Sequence, residues 1–97
     1  MEARLAQASA SVQIDNERVT VTEWRFAPGA ETGWHRHQYD YVVVTQTSGK
    51  LLLKTTDGGN VSELTSGKSY FRKAGVEHNV INAGEGEFVF IEIEMKS

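Results

Sequence analysis

The chain of 97 residues contains no cysteine, which removes disulfides, thiolate nucleophiles and cysteine-ligated zinc or iron–sulfur centres together. Any metal must therefore sit on histidine or oxygen. Proline occurs once, and no apolar run approaches the length of a membrane span. Residues Met1 to Ala10 lack the apolar core of a secretory leader, so the expected location is the cytoplasm. Positive charge is also scarce: 10 Lys and Arg against 13 Asp and Glu leave a net charge of −3 with no basic cluster. The electrostatic footprint of a nucleic-acid binder is missing. A chain this short allows one domain and buries roughly 60–65 % of the surface its unfolded form exposes, so a partner subunit would help it.

What is present is period-two alternation broken by turn residues, the pattern of an all-β fold. Residues 1–9 read as a tail, either a frayed turn or disorder, and residues 10–97 as the folded domain. Val12 and Ile14 alternate before the turn at Asp15-Asn16-Glu17. Arg18 to Phe26 forms the next strand, with an apparent change of phase between Val19/Val21 and Trp24/Phe26 that a bulge near Thr22 would reconcile. Pro28-Gly29 stops it. Gly33 to Gln46, the run at Leu51-Leu52-Leu53, Val61 to Leu64, Lys68 to Arg72, His78 to Ile81 and Glu87 to Met95 follow. Asp57-Gly58-Gly59-Asn60 is a strong hairpin turn. About eight strands result, arranged as a sandwich or barrel.

The three histidines are the chemically informative residues. On the strand expected from Gly33 to Gln46, His35, His37, Tyr39, Tyr41 and Val43 share one face, because side chains two apart point the same way. Two imidazoles side by side can both reach one cation. His78 lies on another strand, which in a small barrel can face the first across the interior. Taken singly, a histidine on an apolar strand is more often a packed core residue than a ligand, and His-x-His is common on surfaces.

The wider spacing changes the weighing. The segments GAETGWHRHQYDYVVVTQTSG and GKSYFRKAGVEHNVIN closely resemble the two motifs of the cupin superfamily, Gly-x5-His-x-His-x3/4-Glu-x6-Gly and Gly-x5-Pro-x-Gly-x2-His-x3-Asn. The resemblance implies a single-domain cupin β-barrel of the double-stranded β-helix or jelly-roll type. It also implies one divalent metal (Fe, Zn, Ni, Mn or Cu) held by His35, His37 and His78. Three positions depart from the motifs. Lys73 replaces the proline, Gly49 falls one residue late, and Tyr41 occupies the position of the carboxylate ligand. Tyr41 is then expected to line the pocket with Tyr39 and hydrogen-bond a bound water or substrate, the alternative being ligation as a phenolate, which an ordinary pKa of about 10 makes conditional on strong stabilisation by the cation. Asp40, of the wrong parity to point inward unless the strand bulges, is expected at the surface or behind the ligands. A centre lacking the carboxylate carries one more positive charge and should favour a small anionic ligand.

The run GWHRHQYDYVVV is similar to that of small cupins named for β-alanine degradation, and carboxylate-free three-histidine iron sites resemble those of thiol and diketone-cleaving dioxygenases. With iron(II) the resemblance implies dioxygenation, and with zinc a hydrolytic or hydrating site. The rival class is a sensor or carrier that binds a small ligand without turnover, since this fold does not fix activity. Glu92 and Glu94 share a face of the last strand and read as its solvated side. Apolar residues on both faces of the metal strand and the last strand point to a homodimer joined through barrel exteriors.

Overall fold

In the computed structural model, which describes residues 5–97, alternating segments form nine strands. These are β1 (Ser9–Asp15), β2 (Val19–Phe26), β3 (His35–Arg36), β4 (Asp40–Thr45), β5 (Gly49–Thr55), β6 (Gly58–Leu64), β7 (Ser69–Arg72), β8 (Glu77–Asn82) and β9 (Phe88–Met95). They assemble into a five-stranded sheet of order β1-β2-β9-β4-β7 and a four-stranded sheet of order β3-β8-β5-β6, with neighbours antiparallel. The two sheets enclose a jelly-roll core, as the alternation requires of strands with one buried face.

β9 sets the packing of the larger sheet, because β2 and β4 both pair with it. Its even residues Phe88 and Phe90 point inward to meet Phe26, whose ring lies 5.4 Å from that of Phe90. Val43 of β4, Leu51 of β5 and Val80 of β8 close the same cluster from the other strands. Each such side chain removed from water stabilises the fold by roughly 1.5–3 kcal/mol. Asn82, at the end of β8, is buried and fully engaged. Its amide donates to the carbonyls of Phe26 (3.1 Å) and Gly86 (2.8 Å), and its oxygen accepts from the Gly84 N–H.

Three details differ from the sequence reading. The segment expected as one strand from Gly33 to Gln46 divides into β3 and β4, which belong to different sheets. This division makes the count nine rather than about eight. The change of phase in β2 is not a bulge in that strand, which pairs with β9 without interruption from Val19 to Phe26. The irregularity lies in β1, where the register shifts between Val12 and Ile14, and Val19 and Val21 are simply outward-facing apolar residues. The folded region also starts earlier than residue 10. The Ala8 N–H donates to the Glu31 carbonyl and the Glu31 N–H to the Ala6 carbonyl, both at 2.8 Å, and Ala8 is part of the core. The rest of the expected tail, residues 1–4, lies outside the described residues.

Candidate metal centre

β3 is only two residues long, yet it carries the first imidazole to the second motif. His35 and His78 are directly paired partners on adjacent antiparallel strands, so the two strands are neighbours in one sheet rather than facing walls of the interior. His37 follows just beyond β3 and is anchored by its own backbone. Its N–H donates to the Val76 carbonyl at 2.9 Å, and its carbonyl accepts from the Gly75 N–H at 2.8 Å. Histidines 41 and 43 residues apart in sequence thereby converge on one point.

The convergence is specific to one atom of each ring. The Nε2 atoms of His35 and His37 are 3.0 Å apart, those of His37 and His78 3.2 Å, and those of His78 and His35 3.1 Å. His35 Nδ1 lies 2.9 Å from the Gly33 carbonyl, a partner that can only accept, so this ring carries its proton on Nδ1 and presents a lone pair on Nε2. Burial, followed by the neighbouring imidazoles His35 and His78, lowers the His37 pKa to about 4. Burial and then His35 and Arg72 lower that of His78 to about 4. Neutral rings that aim lone pairs at one point repel each other, and a cation relieves that repulsion. Ligands at about 2.1 Å from a metal and 90° apart are separated by roughly 3.0 Å, and by roughly 3.4 Å at tetrahedral angles. The observed triangle falls between these values, so the three rings fit a divalent metal capped on one side and open on the other.

A supporting layer holds His35 in place. Asn79 of β8 accepts from the Gly33 N–H at 3.0 Å and donates to Glu31 at 2.7 Å. Gly33 has a φ of +86°, a conformation that disfavours any side chain, and this turn aims its carbonyl at His35. Thr32 Oγ1 lies 3.3 Å from His35 Nδ1. The sequence reading did not single out Asn79 or Thr32, although Asn79 directly follows the motif histidine.

Tyr41 is buried and stacks on His37 with ring centroids 3.9 Å apart and planes 20° from parallel. Burial above all, then Tyr70 and Glu92, raises its pKa further above the ordinary phenol value, so the ring packs against His37 as a neutral phenol. Tyr39 sits in the bend between β3 and β4, half-buried, with Lys96 within electrostatic reach. Asp40 accepts the Ala74 N–H at 2.8 Å and is exposed, in keeping with its parity. A cleft of about 440 Å³ between the β5–β6 hairpin and the second-motif loop opens beside His78, and Leu53, Asn60, Arg72 and Val76 also line it. The Arg72 guanidinium lies 4.5 Å from the centre of the Tyr70 ring.

One expectation fails outright. Glu92 does not lie on a solvated face, since it is only 8 % exposed, and burial, followed by the charge of Glu94, raises its pKa to about 7. One carboxylate oxygen from each of Glu92 and Glu94 and a ring nitrogen of His37 lie within 4.8 Å of one another. Parity held the missing signal: Glu92 and Glu94 continue the inward phase of Phe88 and Phe90.

A barrel of two antiparallel sheets with histidines from two ordered motifs meeting at one point defines a cupin, and residues 22–94 match the family model described as a cupin domain. The chain belongs to the cupin family. It is 63 % identical over 90 residues to the β-alanine degradation protein BauB of Pseudomonas aeruginosa, a match covering 93 % of this chain and 95 % of that one. The crystal structure of a cupin domain from Bordetella pertussis superimposes with a TM-score of 0.96 at 61 % identity, covering 99 % of this chain and all of that one (100 %). The polyketide cyclase RemF of Streptomyces resistomycificus shares the fold alone, with a TM-score of 0.73 and 20 % identity over 98 % of this chain and 71 % of its own. No helix among the described residues is long and apolar enough to cross a membrane.

Proposed function

We propose that this cupin binds one divalent transition metal through His35, His37 and His78 and uses it to transform a small anionic metabolite. The observation that carries the reading is the triangle of Nε2 atoms with sides of 3.0–3.2 Å. The substrate enters by the cleft beside His78, where Arg72 supplies a cationic group for a carboxylate. Tyr41 forms the floor behind His37, and Tyr39 stands at the pocket edge. Bound iron(II) would supply oxygenation chemistry and bound zinc Lewis-acid hydration or hydrolysis, and imidazole donors suit both. The name of the Pseudomonas relative refers to β-alanine degradation, and a small carboxylate of that kind is compatible with this site.

The working assembly is a cytoplasmic homodimer. On the outer face of the five-stranded sheet, paired residues Ile14, Val21, Ile93, Val42 and Phe71 form an unbroken apolar row across all five strands. A second copy of the same face would cover it.

The test is elemental analysis of protein purified without added metal, alongside a His78→Ala variant. Near-stoichiometric metal in the wild type and its loss in the variant are expected, whereas equal metal content in the two would overturn the reading. Oxygen uptake on adding small carboxylates anaerobically and then admitting air separates an oxygenase from the rival class, a sensor or carrier without turnover.

A further inference from the structure

The position at which the first motif places a carboxylate ligand is occupied here by Tyr41. The strand register shows where negative charge is found instead. Tyr41 is paired with Glu94 of β9, and Val43, the next inward residue on β4, is paired with Glu92. Residues paired across antiparallel strands point to the same face, so both carboxylates enter the barrel one strand away from the vacated position. Glu92 is more than nine-tenths buried. Its inward neighbour across β2 is Thr22.

His37 is the ring these carboxylates approach, with one oxygen of each within 4.8 Å of a ring nitrogen. His35 is held through Nδ1 by the Gly33 carbonyl, whereas the rings of His37 and His78 come into close polar contact only with imidazoles of the cluster, and of these two it is His37 that the carboxylates approach. Ligating imidazoles are generally oriented by an acceptor at their second nitrogen, frequently a carboxylate. The set His37, Glu92 and Glu94 and the set His35, His37 and His78 share His37 and do not merge. The carboxylates therefore stand beside the histidine triangle rather than within it.

Building on the three-histidine reading, we infer that β9 supplies the carboxylate of this centre: Glu92, with Glu94 beside it, is the charge partner of His37 and replaces the acid that Tyr41 displaces from β4. Glu92 is a positioning residue. It orients and polarises His37 and places a negative charge next to the divalent cation without occupying a coordination position. The centre then differs less in charge from a carboxylate-ligated cupin than its ligand list suggests.

The test is competition of zinc(II) and cobalt(II) with a chromophoric chelator at pH 7.5, using the wild type, Glu92→Gln, Glu94→Gln and His78→Ala. Far-UV circular dichroism verifies the fold of each. Glu92→Gln preserves side-chain volume and is expected to weaken metal binding 10- to 100-fold, the range typical for removing an outer partner of a ligating histidine. Glu94→Gln should weaken it less. The cobalt(II) visible bands should shift in Glu92→Gln, which a merely structural role would not produce. Introducing Tyr41→Glu into Glu92→Gln should recover at least tenfold of the lost affinity, because it restores an acid at the motif position. Affinity of Glu92→Gln within threefold of wild type, with binding abolished in His78→Ala, overturns this inference and leaves the three-histidine reading intact. Unchanged binding in His78→Ala overturns that reading itself.

Discussion

Replacing Glu92 by glutamine should change how the metal-free protein responds to acid, and the direction follows from three buried groups. His37 and His78 have folded pKa values of about 4, below the ordinary 6.5. Unfolding lets each take up a proton between those values, so the stability they allow is complete above pH 6.5 and drains away as pH falls towards 4. Glu92 works in the opposite sense. Its folded pKa of about 7 exceeds the ordinary 4.5, so its contribution is complete below pH 4.5 and is lost as pH rises through 7. Between about pH 4.5 and 6.5 these groups together take up two protons and release one on unfolding. The net of one proton corresponds to a slope of about 1.4 kcal/mol per pH unit. Glu94, Arg72, Tyr70 and the imidazoles share this environment, but they are common to wild type and variant, so the difference in slope isolates Glu92. In Glu92→Gln the slope should approach twice the wild-type value. Near pH 8 the variant should be the more stable protein, by up to about 3 kcal/mol, because no buried carboxylate has to ionise. Urea unfolding followed by circular dichroism in the presence of a chelator, from pH 4.5 to 8, gives both quantities. Parallel stability curves for the two proteins would refute the reasoning.

The other predictions concern support and assembly. A Cβ added at Gly49 would lie 2.7 Å from Cδ2 of Phe88, a ring fixed in the core, so Gly49→Ala should cost about 1–3 kcal/mol and lower Tm by roughly 4–8 °C per kcal/mol. Calorimetry reads this, and a partial recovery in Gly49→Ala/Phe88→Leu would assign the loss to that contact. Asn79→Ala frees the Gly33 turn that aims its carbonyl at His35 and should weaken zinc binding about tenfold, which chelator competition measures. Light scattering after size exclusion should give a dimer for the wild type and a monomer for Ile93→Asp, which places a charge in the apolar row. A monomeric wild type at micromolar concentration would remove the dimer.

The fold was legible because its cues are local. Alternation marked the strands, and Asp57-Gly58-Gly59-Asn60 marked the β5–β6 hairpin. The histidine cluster was legible because His35, His37 and His78 stand at fixed distances from motif glycines. What escaped depends on non-local placement. The break between β3 and β4 leaves no strong punctuating residue, since neither Gly nor Pro lies between His35 and Thr45. The chain changes sheets there because β3 finds its partner in β8. Glu92 was misplaced because charge suggested solvent, whereas parity with Phe88 and Phe90 decides which way the side chain points. Nothing local marks Asn79 of β8, because its partners Glu31 and Gly33 lie more than forty positions away in sequence.

The two-residue length of β3 has an implication for how such a site can be altered. Two of the three imidazoles depend little on a ladder for their position. They depend on a handful of bonds from the turns around Gly33 and Gly75, while the aromatic part of the core, Phe26, Phe88 and Phe90, lies in the other sheet. The geometry of the histidine cluster is thus partly separable from the packing of those aromatic rings. Residues 31–33 are bonded to Ala8 and Val80 of the core, whereas residues 74–76 lie between β7 and β8 outside the core cluster, which makes the Gly75 turn the natural target for redesigning a metal centre here.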